Sequence, residues 1–261
     1  MTRAEVLKKV LQADVLPTLP AVAARLLSIA SKEETTMTDI ADLVSMDVAL
    51  SAKVLKVVNS AYYSFPQSNG SIHKAVSVLG TNAVRSLVLS FSLLNINRRG
   101  SDDPFDYEIF WNRSLATGVA AKLIMGQFQK SDPEEIFIVG MLQNVGEMIL
   151  ARSFPKQYEE VLGQAGEDGE LQLALERNMF GADHAFIGAK VLQHWGLPAS
   201  LVLPTAYHHS LEQFKGGKPE LVRTAAVAYL SSLLSGMFYA QHPEVLHQRF
   251  REESRRLLDL D

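Results

Sequence analysis

Along the 261 residues of this chain, apolar side chains recur every three to four positions, and no stretch shows a convincing alternation of period two. That pattern suits helices with one buried face and gives a pleated strand no apolar side. Val22, Leu26 and Ile29 share a face. Thr36-Met-Thr-Asp39 resembles a capping box ahead of Ile40, Leu43 and Val44. Asp47 can cap a helix carrying Leu50, Val54, Val57 and Val58. Ser71 precedes Ile72, Val76 and Leu79, with Gly80 as a stop, and Thr81 opens a helix through Val84, Leu87, Val88 and Phe91. Asp132-Pro133-Glu134-Glu135 is a strong helix start, and Gly196-Leu197-Pro198 breaks one helix and begins another. The expected fold class is all-α, with about a dozen helices.

With 47% hydrophobic residues, the chain can bury a large core as one big domain or two lobes. The polar, turn-rich segment Arg98–Pro104 is the best boundary, separating an N-terminal lobe over 1–97 from a C-terminal lobe over 105–261. There is no cysteine, hence no disulfide and no thiolate metal site. The N-terminus lacks the apolar core of a signal peptide. The longest uncharged run, Thr224–Pro243, contains several serines and a glycine, and reads as a buried helix rather than a membrane span. A net charge of −4 with no Lys/Arg block argues against nucleic-acid binding. Cytoplasmic location is the expectation, and a homo-oligomer is compatible with the sequence.

The chemistry concentrates in the C-terminal half. The helical segment Ile136–Leu150 is apolar except where Gln143-Asn144 and Glu147 interrupt it. Arg113 lies upstream in Trp111-Asn-Arg-Ser114; His184 and the pair His208-His209 lie downstream. Buried amides need partners. Arg113, His184 and Glu147, one turn beyond Gln143, form a plausible set, so a hydrogen-bonded network around Gln143 and Asn144 is expected. Arg113 itself requires an acid or an anion if buried. No Walker loop, dinucleotide-binding glycine motif or nucleophile elbow is present.

Several ordered motifs resemble the HDOD domain, a non-catalytic branch of the HD and HD-GYP phosphohydrolase superfamily used in bacterial signalling. They are Leu16-Pro-Thr-Leu-Pro20, the Asp47–Ala61 segment ending Asn59-Ser60-Ala61, Ile72–Gly80, and Trp111, His184, Trp195-Gly-Leu-Pro198 and His208-His209. The resemblance implies a two-lobed helical protein acting through protein–protein contacts, often in cyclic-nucleotide or two-component networks, with signalling partners supplied in trans. In the catalytic superfamily a His, a His-Asp pair and a later Asp hold metals that activate water. The matching positions here are Arg113, Gln143, Asn144 and, for the late acid, Tyr229 or Ala226; no acidic residue lies between Glu220 and Glu244. Without carboxylates such a site offsets a divalent cation's charge poorly. The resemblance therefore implies a pseudoenzyme with a degenerate site (Arg113, Gln143, Asn144, His184, His208, His209), no catalytic residues and no cofactor. The histidines match additional ligands of the HD-GYP branch, so any metal would fall to His184, His208 and His209. Ordinary hydrogen bonding is the leading alternative for them, and a small anion near Arg113 is a third. An enzyme drawing ligands from Glu147, Asp183 and the histidines, and a nucleotide sensor, are the competing functions.

Overall fold

A computed structural model describes residues 1–12, 36–46, 48–58, 71–80, 84, 88, 105–128, 133–214 and 217–260. Several sequence features lie outside these residues. They are the Leu16–Pro20 motif, the Val22–Ile29 face, the caps at Asp47, Thr81 and Asp132, Leu87 and Phe91, Asn59-Ser60-Ala61 and the Arg98–Pro104 segment. Among the described residues every regular element is a helix, as the periodicity requires. No described helix is long and apolar enough to cross a membrane.

The chain divides into two compact units. One comprises Pro17–Asn97; the other combines Met1–Leu16 with Arg98–Asp261. The sequence reading placed residues 1–97 together, but helix α1 (Arg3–Val10) belongs with the C-terminal unit. Thr2 and Glu5 close a capping box, and Val6 and Val10 are fully buried. The Met1 ammonium donates to the Met179 carbonyl at 3.1 Å and Arg3 Nε to the Gly181 carbonyl at 3.0 Å. A helix of eight residues is marginal alone and takes its stability from whatever covers its apolar face.

The Pro17–Asn97 unit contains α2 (Met37–Ser45), α3 (Val48–Val58) and α4 (Ile72–Leu79), which pack on one another. Thr36 and Asp39 form the expected reciprocal capping box, Ser71 accepts from the Lys74 amide, and Gly80 ends α4 at φ 84°. Ile40, Leu43, Val44, Leu50, Val54, Val58, Ile72 and Val76 are buried, following the expected faces.

The larger unit continues with α5 (Tyr107–Met125), α6 (Pro133–Leu142), α7 (Val145–Ser153), α8 (Pro155–Ala165), α9 (Gly169–Phe180), α10 (His184–His194), α11 (Ala199–Tyr207), α12 (Pro219–Gly236) and α13 (Pro243–Leu258). The uncharged run Thr224–Pro243 supplies most of α12, whose Ala225–Ala228 and Leu230 are buried, and the turn into α13. Two glycine crossings hold this unit tight. A Cβ on Gly140 would lie 2.8 Å from Gly118 Cα, which draws α6 against α5. A Cβ on Gly146 would lie 2.0 Å from the His184 carbonyl oxygen, so α7 and α10 approach backbone to backbone. One expectation fails here. Ile136–Leu150 is not one helix; it breaks at Gln143-Asn144 into α6 and α7. Asn144 takes φ −97°, ψ 11° and makes no side-chain cap. The break starts a new helix whose first turn carries both Gly146 and Glu147.

Candidate functional site

The two glycine crossings bring α5, α7 and α10 around one cavity of about 330 Å³, closed by residues of α9, α12 and α13. Its lining includes Arg113, Asn144, Glu147, His184, His209 and Tyr229. Tyr229, not Ala226, occupies the cavity position of the two considered for the late acid; Ala226 is buried elsewhere in the core.

Arg113 reaches from α5 to Glu147 on α7 and forms an ion pair. The Arg113 side chain is 32% exposed and that of Glu147 only 7%, so the cation bridges solvent and a buried carboxylate. This satisfies the guanidinium internally, the first of the two options left open by the sequence.

Below it lies a second buried acid that the sequence reading missed. Glu176 on α9 is wholly inaccessible. Its carboxylate accepts from the His184 backbone amide at 2.7 Å, His184 Nδ1 at 2.8 Å, Tyr158 Oη at 3.0 Å and Gln172 Nε2 at 3.0 Å. Glu176 sits between Leu173 and Phe180 at helical spacing, a carboxylate on an otherwise apolar face. That misfit was the available sequence signal.

The electrostatics follow from this enclosure. Burial works against a charged His184, but the Glu176 carboxylate and its hydrogen bond outweigh it, with help from Glu147 and Asp183, and push the pKa up to about 9. Burial likewise raises Glu176, but charged His184 and the donated hydrogen bonds hold it below the usual carboxylate range. His208 is opposite: burial and the positive charge on His184 bring it down to about 3. Burial and its histidine neighbours also depress His209 well below the usual value. His208 Nδ1 lies 2.7 Å from the Thr205 carbonyl oxygen, so Nδ1 must carry the proton and Nε2 the lone pair. His209 Nε2 lies 3.2 Å from His184 Nε2. The adjacent pair converges because α11 ends at Tyr207 and both rings project from the turn beyond it.

The expected amide network is absent. Gln143 is fully buried, yet neither its Oε1 nor its Nε2 has a hydrogen-bond partner, and Asn144 Oδ1 also has none. Asn144 lines the cavity beside Arg113, Glu147 and His184, whereas Gln143 does not, and neither amide oxygen is bonded to that constellation. Asp183 is occupied as the N-cap of α10, accepting from the Phe186 amide at 3.0 Å, and pairs with Arg177 at 2.7 Å. Of the other histidines, His73 pairs with Asp42 and His242 with Glu244, both exposed.

These residues do not fit the metal centre of a hydrolytic HD site. An ion-paired guanidinium, two buried amide oxygens without partners and a phenol offer none of the imidazole and carboxylate donors such a centre uses. Arg113 places a fixed positive charge beside Glu147, and a cation there would meet repulsion.

Comparison with known proteins agrees with the fold. The HDOD domain family profile matches residues 16–211, and the chain belongs to that family. A Methylococcus capsulatus structure described as the MmoQ response regulator is 32% identical, with 94% of each chain covered and a TM-score of 0.53. An HDOD domain protein of unknown function from Geobacter sulfurreducens is 23% identical over 98% of this chain and 89% of its own, with a TM-score of 0.74. A Treponema pallidum protein without a described function is 27% identical over 94% of this chain but only 48% of its own length. The chain thus spans about half the length of that relative.

Proposed function

We propose that this protein is a non-catalytic signal-transduction module that works by contact with signalling proteins supplied in trans. The observation that carries this reading is the Arg113–Glu147 ion pair at the place where a phosphohydrolase would gather metal ligands. A permanent cation there neutralises the wall's acid and provides no lone pair. Tyr229 in place of a late carboxylate removes the remaining anionic ligand. The response-regulator description of the Methylococcus relative favours signalling over metabolism.

The test is turnover of cyclic dinucleotides and simple phosphodiesters with added Mn, Mg or Fe. No rate above background is expected, and pull-down from the source cell should recover a kinase, receiver or cyclase-type protein. Metal-dependent hydrolysis that disappears in His184→Ala would overturn the reading in favour of an enzyme with rearranged ligands.

A further inference from the structure

The His184, His208 and His209 rings meet around one buried acceptor that no hydrogen bond uses: His184 Nε2 and His209 Nε2 pair at 3.2 Å, while His208 Nε2 has no partner. One ring nitrogen from each lies within 4.8 Å of the other two. Ring centroids are 4.0 Å apart for His208–His209, 5.0 Å for His184–His209 and 5.8 Å for His184–His208. His208 is the informative member. It is fully buried, the Thr205 carbonyl fixes its proton on Nδ1, and its Nε2 lone pair has no partner. An orphaned buried acceptor is destabilising unless something occupies it. His184 repeats the arrangement with a carboxylate, its Nδ1 held by Glu176 while Nε2 faces His209. An Nδ1 tied to a carbonyl or carboxylate, leaving Nε2 aimed at a common point, is how proteins orient imidazoles towards a metal.

We infer that His184, His208 and His209 form a mononuclear site for a borderline divalent first-row ion such as Zn(II) or Co(II), bound through three imidazole nitrogens. The donor set selects this class: imidazole suits Zn, Co, Ni and Fe(II), whereas Mg and Ca require oxygen ligands. Tetrahedral geometry with bonds of about 2.0–2.1 Å needs nitrogens about 3.3 Å apart, so the rings close by less than a rotamer change. His184 and His209 both line the cavity, which leaves a fourth position facing it. Glu176 behind the His184 ring supplies one compensating negative charge. The site borders the Arg113–Glu147 pair, since Glu147 Oε1 lies 3.9 Å from His184 Nε2, but that carboxylate is already held by the guanidinium and the site contributes no hydrolytic chemistry. One ion held by neutral rings without a bridging carboxylate would order the turn after α11 and set the shape of the cavity.

The experiment uses the whole chain after chelation and dialysis, titrated with Co(II) and Zn(II). Co(II) should give tetrahedral ligand-field bands that saturate at one ion per chain, and excess Zn(II) should raise Tm by about 5–10 °C. His209→Gln changes the half-buried ring nearest the cavity. It should keep the metal-free Tm close to that of the wild type, lose the Co(II) bands and weaken binding at least tenfold. His208→Gln should behave alike, with a Tm shift of its own because the ring is buried. No bands and no Zn-dependent rise in the wild-type protein would overturn the inference, as would an undiminished response in His209→Gln. Because these readouts are metal binding rather than turnover, they fail or succeed independently of the proposed signalling role.

Discussion

Two buried carboxylates flank His184, Glu147 on the cavity wall and Glu176 behind the ring, and the protein neutralises them differently. Glu147 is met by Arg113, whose charge is permanent and whose head reaches solvent. Glu176 is met by His184, whose charge is titratable and wholly enclosed. The first pair loses little to desolvation at its exposed end. The second exists only while the ring keeps its proton, and four donors converge on its acid. The Arg113 wall is therefore a fixed prop, whereas the His184 wall is conditional. The contrast shows what the two cations do: arginine gives Glu147 a permanent partner, while histidine keeps Glu176 dependent on occupancy by a proton or an ion.

The contrast breaks most severely at Glu176. Glu176→Ala removes the shared acceptor of His184, Tyr158 and Gln172 and leaves the buried ring only the more distant Glu147 and Asp183 as counter-charges. A loss of about 3–5 kcal/mol in urea unfolding is expected. A loss below about 1 kcal/mol would mean that the enclosed pair is no stronger than a surface contact.

Acidity separates the two walls next. His184 has a folded pKa of about 9, above the ordinary value, so its contribution is complete below about pH 6.5 and disappears as pH rises through 9. His208 has a folded value of about 3, so it costs stability as pH falls below about 6.5. The chelated protein should have a stability maximum near pH 6.5, with an alkaline decline of about 3 kcal/mol if the whole shift is expressed. Urea midpoints measured from pH 5 to 10 check this. The alkaline decline should flatten in Glu176→Gln and persist in Arg113→Ala; an unchanged decline in Glu176→Gln would sink the assignment to His184.

The Arg113 wall should respond less. Arg113→Ala orphans Glu147, whose side chain is nearly buried, but the cavity offers solvent for partial rescue. About 2–3 kcal/mol is expected, below the Glu176 effect, with a pH profile parallel to wild type. Phosphate or nucleotides should leave the wild-type Tm unchanged, since the guanidinium is already paired. A ligand-dependent rise in Tm that vanishes in Arg113→Ala would make this wall an anion sensor instead.

How much of this could be read in the chain depends on distance along it. The helix faces of the Pro17–Asn97 unit, the Thr36 and Ser71 caps and the Gly80 stop were legible because each is decided within one turn. The Arg113–Glu147 pair was accessible by another route: an arginine where a buried acid waits one turn past Gln143 has few alternatives. Glu176 was hidden because its partners come from α8 and α10, and only its place between Leu173 and Phe180 marked it as buried. The position of α1 was hidden for the same reason. Its sequence shows an amphipathic helix but not which unit covers it. The break at Gln143-Asn144 escaped because two amides in an apolar run carry no stop signal of their own, and the close approach of Gly146 to the His184 carbonyl just beyond the break is tertiary.

That break supplies the smallest and sharpest test, at Gln143. A satisfied amide stabilises a core, whereas an orphaned one costs its desolvation. Gln143 is fully buried with neither amide atom partnered, while Glu147 and Glu176 nearby are both paired. Gln143→Leu keeps nearly the same volume and removes two unsatisfied polar atoms. It should be neutral or stabilising by about 1 kcal/mol, with the alkaline decline of His184 and the Arg113→Ala penalty intact. A loss of about 2 kcal/mol or more would show that the amide belongs to the polar network after all. The two walls would then be joined through α7 rather than held separately, and a double-mutant cycle between Gln143→Leu and Arg113→Ala would give a coupling well above the roughly 0.5 kcal/mol expected for independent sites.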